Sequence, residues 1–452
     1  MAGQSLGLAK ERRNVKREEK DMNGKDGRGK EEELEQVRKM LAFIRHSPTC
    51  YQAVENVGKE LEMAGYGALQ EEEPWELAMG GKYYVTRNGS SLIAFQLPAG
   101  RARGFHMVAS HSDSPCFKVK ENPEMAVEDI YIKLNVEKYG GSILSTWLDR
   151  PLSVAGRVAL AGGAGVRNVS IDRDLLLIPN VAIHMNRDMN KGVEYKVQTD
   201  MLPLYTEKDG GKPFMELVAG ELGVWAEDIM GSDLFLYNRE EGRIFGAQEE
   251  YICSPRLDDL ACVYASLQAM LHGKPEEYAN LLVLFDNEEV GSTTRQGAAS
   301  TFLQDTLLRI AEAFGIAGGE YCRLLAESFM ISADNAHAVH PNHPEKGDPT
   351  NRPYLNRGLA VKYHGGQKYT TDAVSAAVMK EICRKAGVPC QAYANHSDIV
   401  GGSTLGNISA AQVPVSTVDI GLPQLAMHSA YETTGRKDVC GMIRALKCFY
   451  EE

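Results

Sequence analysis

The chain has no unbroken apolar run approaching ~18 residues, which argues against a membrane-spanning helix. It has no Cys-x-x-Cys pair. Its nine cysteines (Cys50, Cys116, Cys253, Cys262, Cys322, Cys383, Cys390, Cys440, Cys448) are scattered and odd in number, which opposes a disulfide framework and fits reduced thiols in a reducing, cytoplasmic compartment. No Gly-x-Ser-x-Gly elbow is present, so a serine nucleophile of that kind has no seat. The glycine-rich Gly162-Gly163-Ala164-Gly165 lacks a Gly-x-Gly-x-x-Gly register and a following helix, which removes a phosphate cradle. There is no internal repeat and no sustained heptad. Positive charge is in deficit: the formal net charge of -12 argues against nucleic acid or an anionic membrane as partner. It also opposes acidic substrates at long range, so a preference for them must come from local positive groups. Residues 1–32 are dense in Lys, Arg and Glu without an apolar core, which is the composition of a disordered arm rather than a secretory signal.

What remains is a chain of 452 residues and 43% hydrophobic content, enough for a large core and two or three domains. Its most informative stretch is Leu281-Leu282-Val283-Leu284-Phe285-Asp286-Asn287-Glu288-Glu289-Val290-Gly291-Ser292. Five apolar residues bounded by polar ones predict a fully buried strand, and ligands bind at the carboxyl ends of strands in open α/β sheets. Two adjacent carboxylates there repel unless a cation holds them. With a metal, one can ligate while its neighbour stays free as a general base. A Glu-Glu pair on a solvated turn would look the same, but the pattern recurs. Phe105–Ala109 runs into Ser110-His111-Ser112-Asp113, Phe329–Ala333 into Asp334, and Val413–Ile420 precedes His428. Asp258-Asp259 opens an apolar helical run from Leu260 to Leu271. This mixed N/O set suits zinc, or manganese and cobalt, better than calcium or magnesium. Residues i and i+2 of an extended segment point to one side, so Asp113 can hold the second ring nitrogen of His111.

Helical spacing is expected from Leu34 to Ile44 and from Tyr51 to Leu61, then strands near Lys82–Thr86 and Ser91–Gln96. Between about Cys116 and Ala247 alternating segments such as Asp129–Leu134 and Val166–Ile171 dominate, the texture of a β-rich insertion. From Leu257 onward strands alternate with amphipathic helices, including Ala373–Lys385 and Lys437–Phe449. The expected organisation is an α/β domain over 33–115 and 248–452, interrupted by a β-rich domain over 116–247; the resemblance given next implies that the former is a mixed-sheet catalytic domain of zinc-exopeptidase type.

The motifs Ser110–Pro115, Ser254-Pro255-Arg256-Leu257-Asp258, Asp286–Ser292, Ser332–Asn342 and Gln424–Ser429 together closely resemble the M18 metallo-aminopeptidases, the aspartyl aminopeptidase group, over about residues 33–452. The resemblance implies two divalent ions, zinc foremost: one on His111, Asp258 and Asp334, the other on Asp258, Glu289 and His428. It implies peptide-bond hydrolysis by a metal-bridging hydroxide with Glu288 as general base and Asp113 orienting His111. It places Lys362, Tyr369 and His337 on an acidic N-terminal residue of a free-amine peptide, and His184 in a neighbouring subunit's site. The insertion would mediate dimerisation, and dimers would build a dodecamer. Lys368 competes with Lys362 for the same task. Asp259 stands where the family carries Asn, adding negative charge near the metals. His340 and His343 lie between prolines and are expected in a loop, as are His396 and Asp398. Two rivals stay open: a related dinuclear aminopeptidase or deacylase of neutral specificity, and an inactive oligomeric metal-binding shell.

Overall fold

The computed structural model describes residues 29–452. A helix over 29–46 begins inside the segment 1–32 expected to be a loose arm. Its acidic first turn, Glu31-Glu32-Glu33, favours a helix N-terminus, and Lys30 ties it to Glu249 at 2.8 Å. The remainder of that expected arm, residues 1–28, lies outside the described residues.

A nine-stranded mixed sheet organises the fold, in the order Gly67–Leu69, Lys82–Arg87, Ser91–Gln96, Ala279–Phe285, Phe105–His111, Phe329–Ala333, Ser416–Gly421, Leu359–Tyr363, Cys390–Ala394. The middle four of these run parallel, with Phe285 beside His111 and Ala333 beside Ile420. They read as continuous apolar runs because both faces are covered. Leu282 and Leu284 point into one core, beneath helices Leu257–His272, Ala373–Ala386 and Arg436–Tyr450. Leu281, Val283 and Phe285 point into the other, beneath helix Phe302–Ala313. The period of two in a strand divides one apolar run between two layers.

A second sheet of six antiparallel strands draws all its strands from residues 116–238: Val166–Ser170, Leu152–Leu160, Ile229–Asn238, Cys116–Val127, Tyr131–Tyr139 and Leu204–Glu207. It has its own core around Phe117, Trp147, Val154 and Leu236, closed by helix Phe214–Leu222. A five-stranded sheet pairs Ala336–His337 with Pro423–Leu425, joining the segment after Asp334 to the one before His428. Among the described residues no helix is long and apolar enough to cross a membrane.

Candidate metal centre and active site

The four parallel strands end at one edge, and the segments leaving them converge there. His111 closes its strand, Asp334 comes directly after Ala333, and Glu288-Glu289 form a short 3-10 turn just past Phe285. Asp258 lies at the start of the Leu257–His272 helix in non-helical backbone. His428 arrives on the loop before the strand Glu432–Gly435. Ligand-type atoms of His111, Asp258, Asp259 and Asp334 lie within 4.8 Å of one another, as do those of Asp258, Glu289 and His428 and those of His111, Glu288 and Glu289. All five residues read from the sequence as ligands, and Glu288, are thus brought together.

Asp258 is the hinge of the cluster. Its Oδ1 faces His111 Nε2 at 3.6 Å and its Oδ2 faces His428 Nε2 at 3.5 Å. His428 Nε2 is 3.4 Å from Glu289 Oε2, and His111 Nε2 is 4.0 Å from Asp334 Oδ1. These separations are long for hydrogen bonds. They match what two ligands about 2.1 Å from one tetrahedral ion impose, roughly 3.4 Å. Asp258 Oδ1 and Glu289 Oε1 are buried without a hydrogen-bond partner, which is costly unless a cation takes them. The electrostatics agree. Burial pushes Glu288 up to about 8 and Glu289 well above the carboxylate range. Against burial, Asp258 and Glu289 raise the His428 ring to about 10. Crowded carboxylates thus draw positive charge from any neighbour able to supply it, and the residues present fit metal ions.

The outward ring nitrogens are fixed. His111 Nδ1 faces the Asp113 backbone carbonyl at 3.1 Å, with the Asp113 carboxylate slightly farther at 3.4 Å. His428 Nδ1 donates to the Gly141 carbonyl at 3.1 Å. Each ring therefore turns Nε2 to the cluster. The approach at 140–141 needs glycine: a Cβ on Gly140 would stand 3.1 Å from Glu289 Cβ, and one on Gly141 3.3 Å from His428 Nδ1.

A family model for the aminopeptidase I zinc metalloproteases, M18, matches residues 43–450. The chain belongs to the M18 aminopeptidase family. A probable M18 family aminopeptidase 2 of Clostridium acetobutylicum is 47% identical over 430 residues, 92% of this chain and 99% of that protein. Among solved structures, Chaetomium thermophilum mApe1 superposes with a TM-score of 0.84 at 31% identity, covering 93% of this chain and 97% of its own. The S. cerevisiae mApe1 dodecamer gives 0.80 at 26% identity, covering 91% of this chain and 95% of its own. This M18 chain is a metallo-aminopeptidase of mixed α/β fold.

The other residues expected at an M18 site fall in three places. Lys362 is buried, with Nζ 3.2 Å from Asp334 Oδ2 and 5.3 Å from the centroid of the Tyr369 ring. Against burial, Asp334 and Tyr369 hold its ammonium above the ordinary lysine range. Lys368 donates instead to the Gly401 carbonyl on a loop. His337 lines a cavity of about 430 Å³ beside Met427, with His340, His343 and His396 on the same wall. The histidines assigned to loops by their prolines, His340 and His343, therefore lie in a segment that borders this cavity. His184 stands exposed between Val181 and Met185 and makes no hydrogen bond or ion pair to the cluster among the described residues.

Two residues of the M18 site escaped the sequence reading. Tyr139, on the six-stranded sheet, donates to Asp113 Oδ2 at 2.6 Å. Glu432 accepts the His428 amide at 2.7 Å and the Asp258 amide at 2.9 Å, clamping two residues of the cluster at once. Glu432 lies four residues past His428, so an acid near a ligand was a signal of sorts; Tyr139 carried none. Asp259 has a backbone partner as well: its Oδ2 accepts the His111 amide at 3.2 Å, as an asparagine carbonyl could, and burial pushes its carboxyl above the ordinary range.

Proposed function

We propose that this M18 enzyme is a two-metal aminopeptidase that prefers N-terminal Asp or Glu. The observation that carries the two-metal reading is Asp258, whose two oxygens face two different histidines, His111 and His428. His111, Asp258 and Asp334 would hold one ion, and Asp258, Glu289 and His428 the other. Bound there, zinc (or manganese or cobalt) would polarise the scissile carbonyl and ease ionisation of the attacking water. Glu288 accepts the proton of that water and passes it to the departing amine. Its carboxylate accepts no hydrogen bond from a described residue, which leaves it free to take and return a proton. Asp113 aligns the base with the ligands: its Oδ1 and Oδ2 accept the Glu288 and Glu289 amides, each at 3.2 Å.

The acidic preference rests on Lys362. Among the described residues it is the only lysine or arginine ion-paired to the cluster. Its ammonium has three donors, so those not on Asp334 can meet a substrate carboxylate, with Tyr369 and His337 bounding the position. The same pair favours the rival reading of neutral specificity, in which Lys362 serves Asp334 alone. Residues 33–115 with 248–452 form the catalytic unit in this reading, and 116–247 the oligomerisation unit. The yeast relative's dodecamer supports a homo-oligomer in which the exposed His184 enters a neighbour's cleft. A cytoplasmic site of action is inferred from the nine unpaired cysteines.

Steady-state hydrolysis of Asp-, Glu- and Leu-anilides, with chelation and metal add-back, tests this. Metal-dependent cleavage of the acidic substrates with little on Leu is expected. Strong Leu cleavage overturns the specificity, and inactivity with every metal supports the inactive shell.

A further inference from the structure

The loop that carries His428 is tied into two units at once. Glu432, on the strand that follows the loop, joins the His428 amide to the Asp258 amide. Further anchors come from the chain between Gly141 and Glu241. The Ile143 amide donates to the His428 carbonyl at 2.9 Å. The Thr146 hydroxyl accepts the Ala430 amide at 2.9 Å and donates to the Ile143 carbonyl at 2.7 Å. The buried Asn238 side chain donates to the Ala430 carbonyl at 2.9 Å. The Tyr431 hydroxyl donates to the Glu241 carbonyl at 2.6 Å. Ala430 itself belongs to the core of the six-stranded unit, with Phe117 and Trp147.

The loop needs such anchors. Ala426 and His428 both have positive φ, 54° and 67°. Residues other than glycine keep that conformation where their surroundings impose it. A small displacement of the loop would also carry His428 Nε2 away from Asp258 and Glu289, which it faces at 3.5 and 3.4 Å. His111, by contrast, closes a central strand paired on both sides within the nine-stranded sheet. The two candidate ion positions therefore differ in what holds them. Among the described residues, neither Thr146 nor Asn238 has a side-chain hydrogen bond to His111, Asp113, Asp258 or Asp334.

We infer, on the two-metal reading, that Thr146 and Asn238 are positioning residues for His428. They act through Ala430 and set the affinity of the ion position formed by Asp258, Glu289 and His428, so the six-stranded unit is part of the support of the metal centre.

The test is zinc titration by calorimetry into chelator-stripped, full-length wild type, Thr146→Val, Thr146→Ser and Asn238→Leu. Crystals of each, equilibrated at one buffered free-zinc concentration, give the anomalous zinc occupancy of each position. In Thr146→Val, zinc beside His428 is expected to bind about tenfold more weakly, the lower end for groups that support a metal ligand, with zinc beside His111 unchanged. Thr146→Ser keeps the hydroxyl and is expected to match wild type. Asn238→Leu is expected to weaken the same position; if it does not fold, the Thr146 pair decides alone. Equal weakening at both positions overturns the inference, as does unchanged binding in Thr146→Val or a Thr146→Ser variant no better than Thr146→Val. A single zinc in wild type, beside His428 and weakened in Thr146→Val, sinks the two-metal reading and keeps the positioning role. A single zinc beside His111 sinks both.

Discussion

Tyr139 reaches from the six-stranded sheet and donates its hydroxyl to Asp113 Oδ2 at 2.6 Å, while Asn287 donates to the same hydroxyl at 2.9 Å. One phenol thereby links Asp113, which sits behind His111, to the turn that carries Glu288 and Glu289. Tyr139→Phe keeps the packing and removes the hydroxyl. Activity or metal affinity is expected to fall about 10-fold, the lower end for groups supporting a metal ligand. Kinetics across a zinc titration would separate the two. Unchanged values would reduce Tyr139 to packing.

Glu288 is hydrogen-bonded through its backbone amide, and its carboxylate accepts no hydrogen bond from a described residue. Glu288→Gln is therefore expected to preserve metal content and melting temperature while lowering kcat by about 10²–10⁴, the range for a lost general base. Metal analysis beside steady-state assays checks this. Near-normal kcat would move the base elsewhere.

Lys362→Met tests the substrate pocket. A lost charge-assisted hydrogen bond costs about 1.5–3 kcal/mol, so kcat/KM on Asp substrates should drop by about 10- to 100-fold, with Leu substrates less affected. An equal drop on both would assign Lys362 to Asp334 rather than to substrate.

His106 offers a pH signature remote from chemistry. Its ring stacks 3.9 Å from Tyr278 and 4.5 Å from Phe449, and burial lowers its pKa from 6.5 to about 4. Below pH 6.5 the unfolded chain binds a proton that the folded one refuses until about pH 4. Stability present above the unfolded value is thus lost as pH falls through that window, at up to about 1.4 kcal/mol per pH unit. Between pH 7 and 5 the urea midpoint of the chelated wild type should fall more than that of His106→Gln. Parallel curves would refute the assignment.

The strands around the site were legible because burial on both faces leaves a continuous apolar run; Ser91–Gln96 matches its expected bounds, and Ala279–Phe285 extends the expected run by two residues. Of the candidate ligands, His111, Glu289 and Asp334 were legible because they stand at or just past the end of such a run, and Asp258 because it opens an apolar helix. Tyr139 and Gly141 were not. Their roles depend on how segments far apart meet: the partners of Tyr139 lie 26 and 148 residues away, and that of Gly141 lies 287 residues away. The start of the first helix was misjudged because charge density reads as solvation when the partner of Lys30, Glu249, lies far along the chain.

The Gly141 carbonyl fixes the ring of His428, the last of the cluster to be synthesised. A growing chain displays His111, Asp258, Glu289 and Asp334 long before it can close the set. Until residue 428 has emerged and folded back onto a turn made much earlier, the cluster lacks one of its two histidines.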